Sequence, residues 1–373
     1  MKIGIDGRAS QWYRGTGIGT YSYQLINSIR TTDKENDYLL FMSKDRREDI
    51  SLSENISINE ITKNIDNNFW DEVNMPNILK NKEIDLYHVP QNGIGLPKEK
   101  NCSFVITLHD VIPFKMPETV GEKYLKIFLE EVPKIIPLCD GIITVSNFSK
   151  NDIAETFNYP KEKIHVTYLA SEDIYHPLNK EKCKSFIKEN YSIAPNFLLY
   201  IGGFSPRKNI LGLIEAFSKV NQTFDKELKL VIVGKLGKSY DIYKERAEKL
   251  GVADSVIFTG FIPITDLPYF YNACEIFVYP SFYEGFGLPP IEAMACGTPV
   301  ITSSITSIPE VVENAAILID PHDINALSES IIMCLSDSDL RKTLIQRGLL
   351  KTSKLSWKET AKQTVEIYKK IMS

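Results

Sequence analysis

Short apolar runs alternate along this chain with longer stretches in which apolar residues return at helical spacing. Lys2–Asp6, Tyr38–Met42, Ile56–Ile61, Asp85–Val89, Ser103–Leu108, Gly141–Val145 and Ile164–Tyr168 predict strands in the first half. Each is too short for a helix and rich in β-branched or aromatic residues. Phe197–Ile201, Lys229–Gly234, Ser255–Phe258, Ile276–Tyr279, Pro299–Thr302 and Ala316–Ile319 predict strands in the second half on the same grounds. Ser103–Leu108 is nearly all apolar, as suits a parallel strand covered on both faces. Helices are expected between the strands. Thr20 to about Arg30 sets Tyr21, Leu25, Ile26 and Ile29 on one face. Further helical stretches are Trp70–Asn81, Glu122–Leu138 with a kink near Pro133, a helix capped by Ser146 and running to about Phe157, and Asn209 to about Val220. Tyr240–Leu250, Leu267–Ala273, two helices within Ile324–Leu350 and an amphipathic Trp357–Met372 complete the series. This alternation predicts an α/β chain built on doubly wound parallel sheets.

Length divides the picture. At 373 residues the chain is too long for one ordinary core and suits two domains. Ser171–Pro195 is charged and contains Pro177 and Pro195, so the linker is expected there. The expected parts are residues 1–172, 173–355 and a closing helix over 356–373. A net charge of −5 offers no footprint for nucleic acid. The six cysteines are scattered without a C-x-x-C pair, which predicts reduced thiols rather than a zinc site or disulfides. Met1 runs straight into a strand, and no apolar run reaches the ~18 residues of a membrane span, so a cytoplasmic location is expected.

Three strand–loop–helix units carry candidate chemistry. The most distinctive begins where Ile276–Tyr279 ends and reads Ser281-Phe-Tyr-Glu-Gly-Phe-Gly-Leu-Pro-Pro-Ile-Glu292. Gly285 and Gly287 permit a tight turn, and Pro289 and Pro290 fit the first turn of a helix that Gly297 closes. Amides at such a helix start form an anion site. Glu284 before the turn reads as facing a polyhydroxylated ligand, and Glu292 as a partner for another hydroxyl pair. In the second unit, Gly202-Gly-Phe-Ser-Pro-Arg-Lys-Asn209 follows Phe197–Ile201. Its Arg207 offers a planar fork and Lys208 a point charge, both suited to a diphosphate. The third, Arg14-Gly-Thr-Gly-Ile-Gly19, fails the G-x-G-x-x-G dinucleotide fingerprint, because Ser22 stands where the last glycine should be. His109 follows an apolar strand, where open α/β sheets bind their ligands. Asp337-Ser-Asp339 spells D-x-D between two helices and reads as a helix cap rather than a metal site. Glu122–Leu138 mixes acids, lysines and aromatics and reads as a solvated helix face.

The span Glu284 to Glu292 resembles the E-x7-E signature of the retaining family 4 glycosyltransferases, whose fold is GT-B, two Rossmann-like domains facing each other across a cleft. The likeness covers nearly the whole chain and is strongest from Leu199 to Asp320. It implies that Glu284 contacts a donor sugar, Glu292 the nucleotide ribose, and the amides of Gly285, Phe286, Gly287 and Leu288 the diphosphate. His109-Asp-Val-Ile-Pro113 is similar to the family's active-site histidine segment. Gly17 and Gly19 match its glycine loop near the donor phosphate and the acceptor. The loop holding Phe261 lies, in relatives, against the nucleotide base. Ile5-Asp-Gly-Arg and Thr16-Gly-Ile-Gly-Thr-Tyr resemble the subgroup that builds bacterial surface polysaccharides. Two features depart from the family. Gly203 stands where relatives carry an early Arg, a role Arg207 would take over, and Leu169-Ala-Ser-Glu172 replaces their P-N-G-V.

The resemblance thus implies a retaining hexosyltransferase with no cofactor and no metal. Its donor is a nucleotide-diphosphate sugar, with GDP-mannose favoured and UDP-hexose or dTDP-rhamnose open. Its acceptor is a glycan or lipid-linked saccharide, with peripheral membrane contact allowed. Arg207, Lys208, Glu284 and His109 are the residues expected to act on the reacting groups. Two other readings stay open, a nucleotide-sugar epimerase of the same fold and a non-catalytic sugar-nucleotide binding module.

Overall fold

The computed structural model describes residues 1–12, 15–43, 53–61, 79, 82–224, 227–237 and 239–373. The helical stretch expected over Trp70–Asn81 lies, apart from Leu79, outside the described residues. The predicted strands form with small shifts at their ends: β1 Lys2–Asp6, β2 Asp37–Ser43, β3 Ile56–Ile61, β4 Leu86–Val89, β5 Ser103–Thr107, β6 Gly141–Thr144, β7 Ile164–Val166, β8 Phe197–Ile201, β9 Lys229–Val233, β10 Val256–Gly260, β11 Ile276–Tyr279, β12 Val300–Ser303 and β13 Ile317–Ile319.

They make two sheets, ordered β3-β2-β1-β4-β5-β6-β7 and β10-β9-β8-β11-β12-β13. Every ladder is parallel. Central strands such as β8 and β11 are buried along their whole length, which is why they read as unbroken apolar runs. In each sheet the strand order reverses once, between β1 and β4 and between β8 and β11. Loops on the two sides of such a switch diverge and leave a crevice beyond the strands' C-terminal ends. The topology thereby marks the loops after β8 and β11, and those after β1 and β4, as the places for a ligand.

The chain divides into two compact units, Met1–Leu169 with Ser356–Ser373, and Ala170–Leu355. The first unit's core gathers Phe41, Tyr87, Phe104, Ile106, Phe128 and Val132. Its closing helix, Trp357–Met372, packs on the helix Gly17–Thr32, with Trp357 and Tyr21 rings 6.2 Å apart. The helix packs closely over Gly141, where a Cβ would lie 2.5 Å from Ile371 Cδ1.

Two expectations need correction. Ser171–Pro195 is not an open linker, since Lys180–Tyr191 is a helix of the second unit, capped by the Asn179 side chain. It buries Cys183 and Ile187, stacks Phe186 on Tyr269 at 4.1 Å, and sets Lys180 and Lys184 on Glu275 at 3.0 and 2.8 Å. Its density of charge resembled linker composition, while the Cys183–Ile187 stripe is too narrow to stand out. The glycine segment before Thr20 is also not all loop. Thr16 accepts from the Gly19 amide and caps a helix that begins at Gly17, so a good cap offsets two poor helix formers.

Candidate active site

The second unit's switch loops build one cluster. After β8, Pro206–Lys208 forms a single 3-10 turn and Asn209 adopts φ +56 to cap the helix Ile210–Thr223 through the Gly212 amide. This places Arg207 and Lys208 side by side next to the β11 loop, which is tied on by the Phe282 amide donating to Arg207 O at 2.8 Å. Arg207 Nη1 donates to Tyr283 O at 2.8 Å and to Glu284 Oε1 at 3.0 Å. Lys208 Nζ donates to the same oxygen at 2.6 Å and also bonds Tyr279 OH, which itself donates to Glu284 at 3.1 Å. Glu284 is 7% exposed. Burial pushes its carboxyl up, but Lys208 and Arg207 outweigh that and hold it at about 2. Burial and the Glu284 charge push the Tyr279 phenol well above its ordinary value, so it acts as a donor.

The turn after Glu284 closes onto a helix start. Gly287 adopts φ +96 and a Cβ there would sit 2.5 Å from Ile308, so only glycine fits. The helix Leu288–Ala295 follows with Pro289 and Pro290 in its first turn. Prolines carry no N–H, so the amides this helix start can offer an anion are those of Gly287 and Leu288. Gly285 and Phe286 precede them in the same turn. One helical turn on, Glu292 Oε2 accepts from the fully buried Tyr271 at 2.8 Å. Phe261 stands 74% exposed just past β10. Gly203 is open, with nothing within 4 Å of a Cβ.

The other candidates lie in the first unit. His109 follows β5; its amide donates to Asn92 Oδ1 at 2.9 Å and its Nε2 bonds Pro90 O at 2.9 Å. A carbonyl only accepts, so Nε2 carries the proton and Nδ1 the lone pair. Burial holds this imidazole down to about 4, and the Tyr21 ring stands edge-on at 4.8 Å. His88 is a structural histidine. It joins Tyr368 OH at 2.6 Å to Thr107 Oγ1 at 2.8 Å, and burial holds it down to about 3. At the β1/β4 switch, Asp6 receives Arg8 Nε at 2.9 Å, Arg8 Nη2 at 2.6 Å and Gln91 Nε2 at 2.6 Å, all buried. Gly17 is exposed and Gly19 buried in the first turn of their helix.

The structure therefore brings Arg207, Lys208 and Glu284 into contact and adds Tyr279, Tyr271 and Gln91, none of which carried a signal, and it joins Gln91 to Asp6 and Arg8 of the Ile5-Asp-Gly-Arg segment. The tyrosines end or border apolar runs and read as core. Asp337 caps the helix Ser338–Thr352 through the Asp339 and Leu340 amides. All six cysteines are free. Among the described residues no cluster of His, Cys, Asp or Glu is arranged to hold a metal, and no helix is long and apolar enough to cross a membrane.

Comparison with known proteins bears on this geometry. A family model described as Glycosyltransferase Family 4 matches residues 16–170, and one described as Glycosyl transferases group 1 matches residues 184–350. The O-antigen chain mannosyltransferase B of Escherichia coli is 36% identical over 284 residues, covering 76% of this chain and 74% of that one. Sucrose-phosphate synthase from Thermosynechococcus elongatus shares the fold at TM-score 0.76 and 20% identity, covering 99% of this chain and 98% of that one. Anabaena HepE, solved in complex with UDP and glucose, does so at TM-score 0.75 and 19% identity over 99% of each chain.

Proposed function

The chain belongs to the family 4, group 1 glycosyltransferases and has their GT-B fold, and on that premise we propose that it moves a hexose from a nucleotide-diphosphate sugar to a glycan or lipid-linked saccharide, with retention at the anomeric carbon. The observation that carries the proposal is the cluster of buried Lys208 and Glu284 with half-buried Arg207 beyond the switch strands β8 and β11. Mannose from GDP-mannose is the favoured donor group, following the relative named as an O-antigen chain mannosyltransferase. UDP-hexoses and dTDP-rhamnose are the donors to test beside it.

In this reading the bond between the anomeric carbon and the distal phosphate oxygen breaks, and one to an acceptor hydroxyl oxygen forms. The hydroxyl proton passes to the departing diphosphate. Negative charge grows on that diphosphate, and fixed cations stabilise it best where water is excluded. Arg207 and Lys208 take this role with the Gly287 and Leu288 amides, so we assign no divalent metal to the step. Glu284, ionised at neutral pH because its cations hold it at about 2, accepts from hydroxyls of the donor sugar. Glu292, oriented by Tyr271, accepts from the ribose. His109 stays neutral with its lone pair on Nδ1, so it accepts a sugar hydroxyl and does not relay protons at neutral pH.

Thermal shift with GDP, UDP and dTDP, followed by turnover of the matching sugars, tests the proposal. One diphosphate at ~100 times its Kd is expected to stabilise the protein by about 2.7 kcal/mol, and turnover is expected to survive excess EDTA. No shift with any of the three would overturn the donor site. Activity lost to EDTA and restored by Mg²⁺ or Mn²⁺ would overturn metal independence.

A further inference from the structure

β11 and β12 pair as far as Tyr279 and Thr302. Beyond that point side-chain hydroxyls take over the connection. Thr302 Oγ1 donates to Tyr279 O at 2.7 Å and Ser303 Oγ to Ser281 O at 2.5 Å. Ser307 Oγ donates to Glu284 O at 2.8 Å and reaches Phe286 O at 3.2 Å. Thr306 Oγ1 accepts from the Glu284 amide at 3.3 Å. One short loop therefore holds both backbone polar atoms of Glu284, the amide through Thr306 and the carbonyl through Ser307.

Thr306 does so in an unfavourable conformation. Its φ is +61, in the left-handed region that glycine accepts freely and that is a marked outlier for a β-branched residue. Such strain persists where the surroundings over-determine it, and it clusters at functional sites. Here it keeps a hydroxyl on the Glu284 amide that glycine could not supply. The Glu284 carboxylate must sit on Lys208 and Arg207 at 2.6 and 3.0 Å, and its side chain is short enough that a turned peptide plane would move it off them.

We propose that Thr306 and Ser307 are positioning residues for Glu284: they fix its backbone, and through it the direction of the carboxylate that meets the cations and the donor sugar. The proposal rests on the donor-site reading above.

Thr306→Gly separates positioning from folding, because it removes the strain and the hydroxyl together. Melting temperature is expected to hold or rise, and the Kd for GDP, UDP or dTDP, whichever binds, to stay within about twofold. The kcat on the matching nucleotide sugar is expected to fall about ten- to a hundredfold, the scale of a small misplacement in a reacting site. Thr306→Ser keeps the hydroxyl and is expected to recover kcat to within about threefold. Ser307→Ala is expected to lower kcat likewise, and Ser307→Thr to restore it. Full kcat in Thr306→Gly, or equal impairment in Thr306→Gly and Thr306→Ser, would overturn the proposal and, with an active wild type, leave the donor site standing. A wild type that turns over none of the matching sugars would overturn both.

Discussion

Replacing Lys208 by Met removes the nearer of the two cations on Glu284 and leaves a buried carboxylate to Arg207 and Tyr279. Holding that carboxyl at about 2 rather than 4.5 corresponds to about 3 kcal/mol in favour of the ionised form, at ~1.4 kcal/mol per pH unit. Breaking a buried ion pair from one side typically costs ~3–5 kcal/mol. Arg207 remains, so a loss of about 2–3 kcal/mol at pH 7 is the expected result, or a fall of about 5–10 °C in melting temperature for a unit of this size. The sign with pH follows from the depressed carboxyl. Its stabilisation is complete above the unfolded value near 4.5 and is lost as pH falls towards 2, so the gap between wild type and Lys208→Met narrows only in strong acid. The double variant Lys208→Met, Glu284→Gln buries neither of the two charges and is expected to regain most of the loss. Urea unfolding of all four proteins gives the coupling energy, and calorimetry with GDP, UDP and dTDP gives binding. The double variant should fold well and bind no nucleoside diphosphate tightly. Additive losses, with a coupling below ~0.5 kcal/mol, would refute the claim that these residues act as a pair.

Other expectations follow from the same geometry. Burial holds His88 at about 3 and His109 at about 4, so below pH 6.5 the unfolded chain binds protons that the folded one does not. Stability should fall between pH 6.5 and about 4 by up to ~1.4 kcal/mol per pH unit per histidine. His88→Gln should flatten that slope in urea titrations, and an unchanged slope would remove His88 from the account. His109→Ala should lower kcat by about 10²–10³ with nucleotide affinity nearly intact; a lower melting temperature with full kcat would make it a core residue only. Glu292→Gln and Tyr271→Phe should both weaken nucleoside diphosphate binding more than they slow the bound donor. Both should also reduce the preference for a ribo- over a 2′-deoxyribonucleotide, and a preference unchanged in either variant would contradict the ribose assignment.

Much of the fold was legible because parallel strands bury both faces. Val300–Ser303 or Phe197–Ile201 could hardly lie elsewhere than inside a covered sheet. Loop chemistry was legible where glycine, proline and charge coincide, as at Arg207–Lys208 and Glu284–Leu288. That Glu284 and Lys208 face each other was not, since the bond spans 76 residues of sequence and only the switch between β8 and β11 joins them. Tyr279 and Tyr271 look like core from their apolar neighbours, and they are core as well as partners of carboxylates. Ser303, Thr306 and Ser307 have no periodicity, and hydroxyls announce neither their acceptors nor a left-handed φ. Lys180–Tyr191 reads as linker because its charge hides the narrow apolar stripe, while Asn179 marks a helix start only through its side-chain bond to the Lys182 amide.

The most direct test of the account is to follow a donor's anomeric centre through a complete turnover. GDP-α-mannose, then UDP-hexoses and dTDP-rhamnose, would be incubated in EDTA with a synthetic lipid-linked saccharide, and the products read by NMR. The account predicts one nucleoside diphosphate released for each glycosidic bond formed, with the donor's anomeric configuration kept in the new linkage. An inverted linkage would contradict the proposed retention. A nucleotide sugar that is epimerised, or consumed with no bond to the acceptor, would contradict transfer itself.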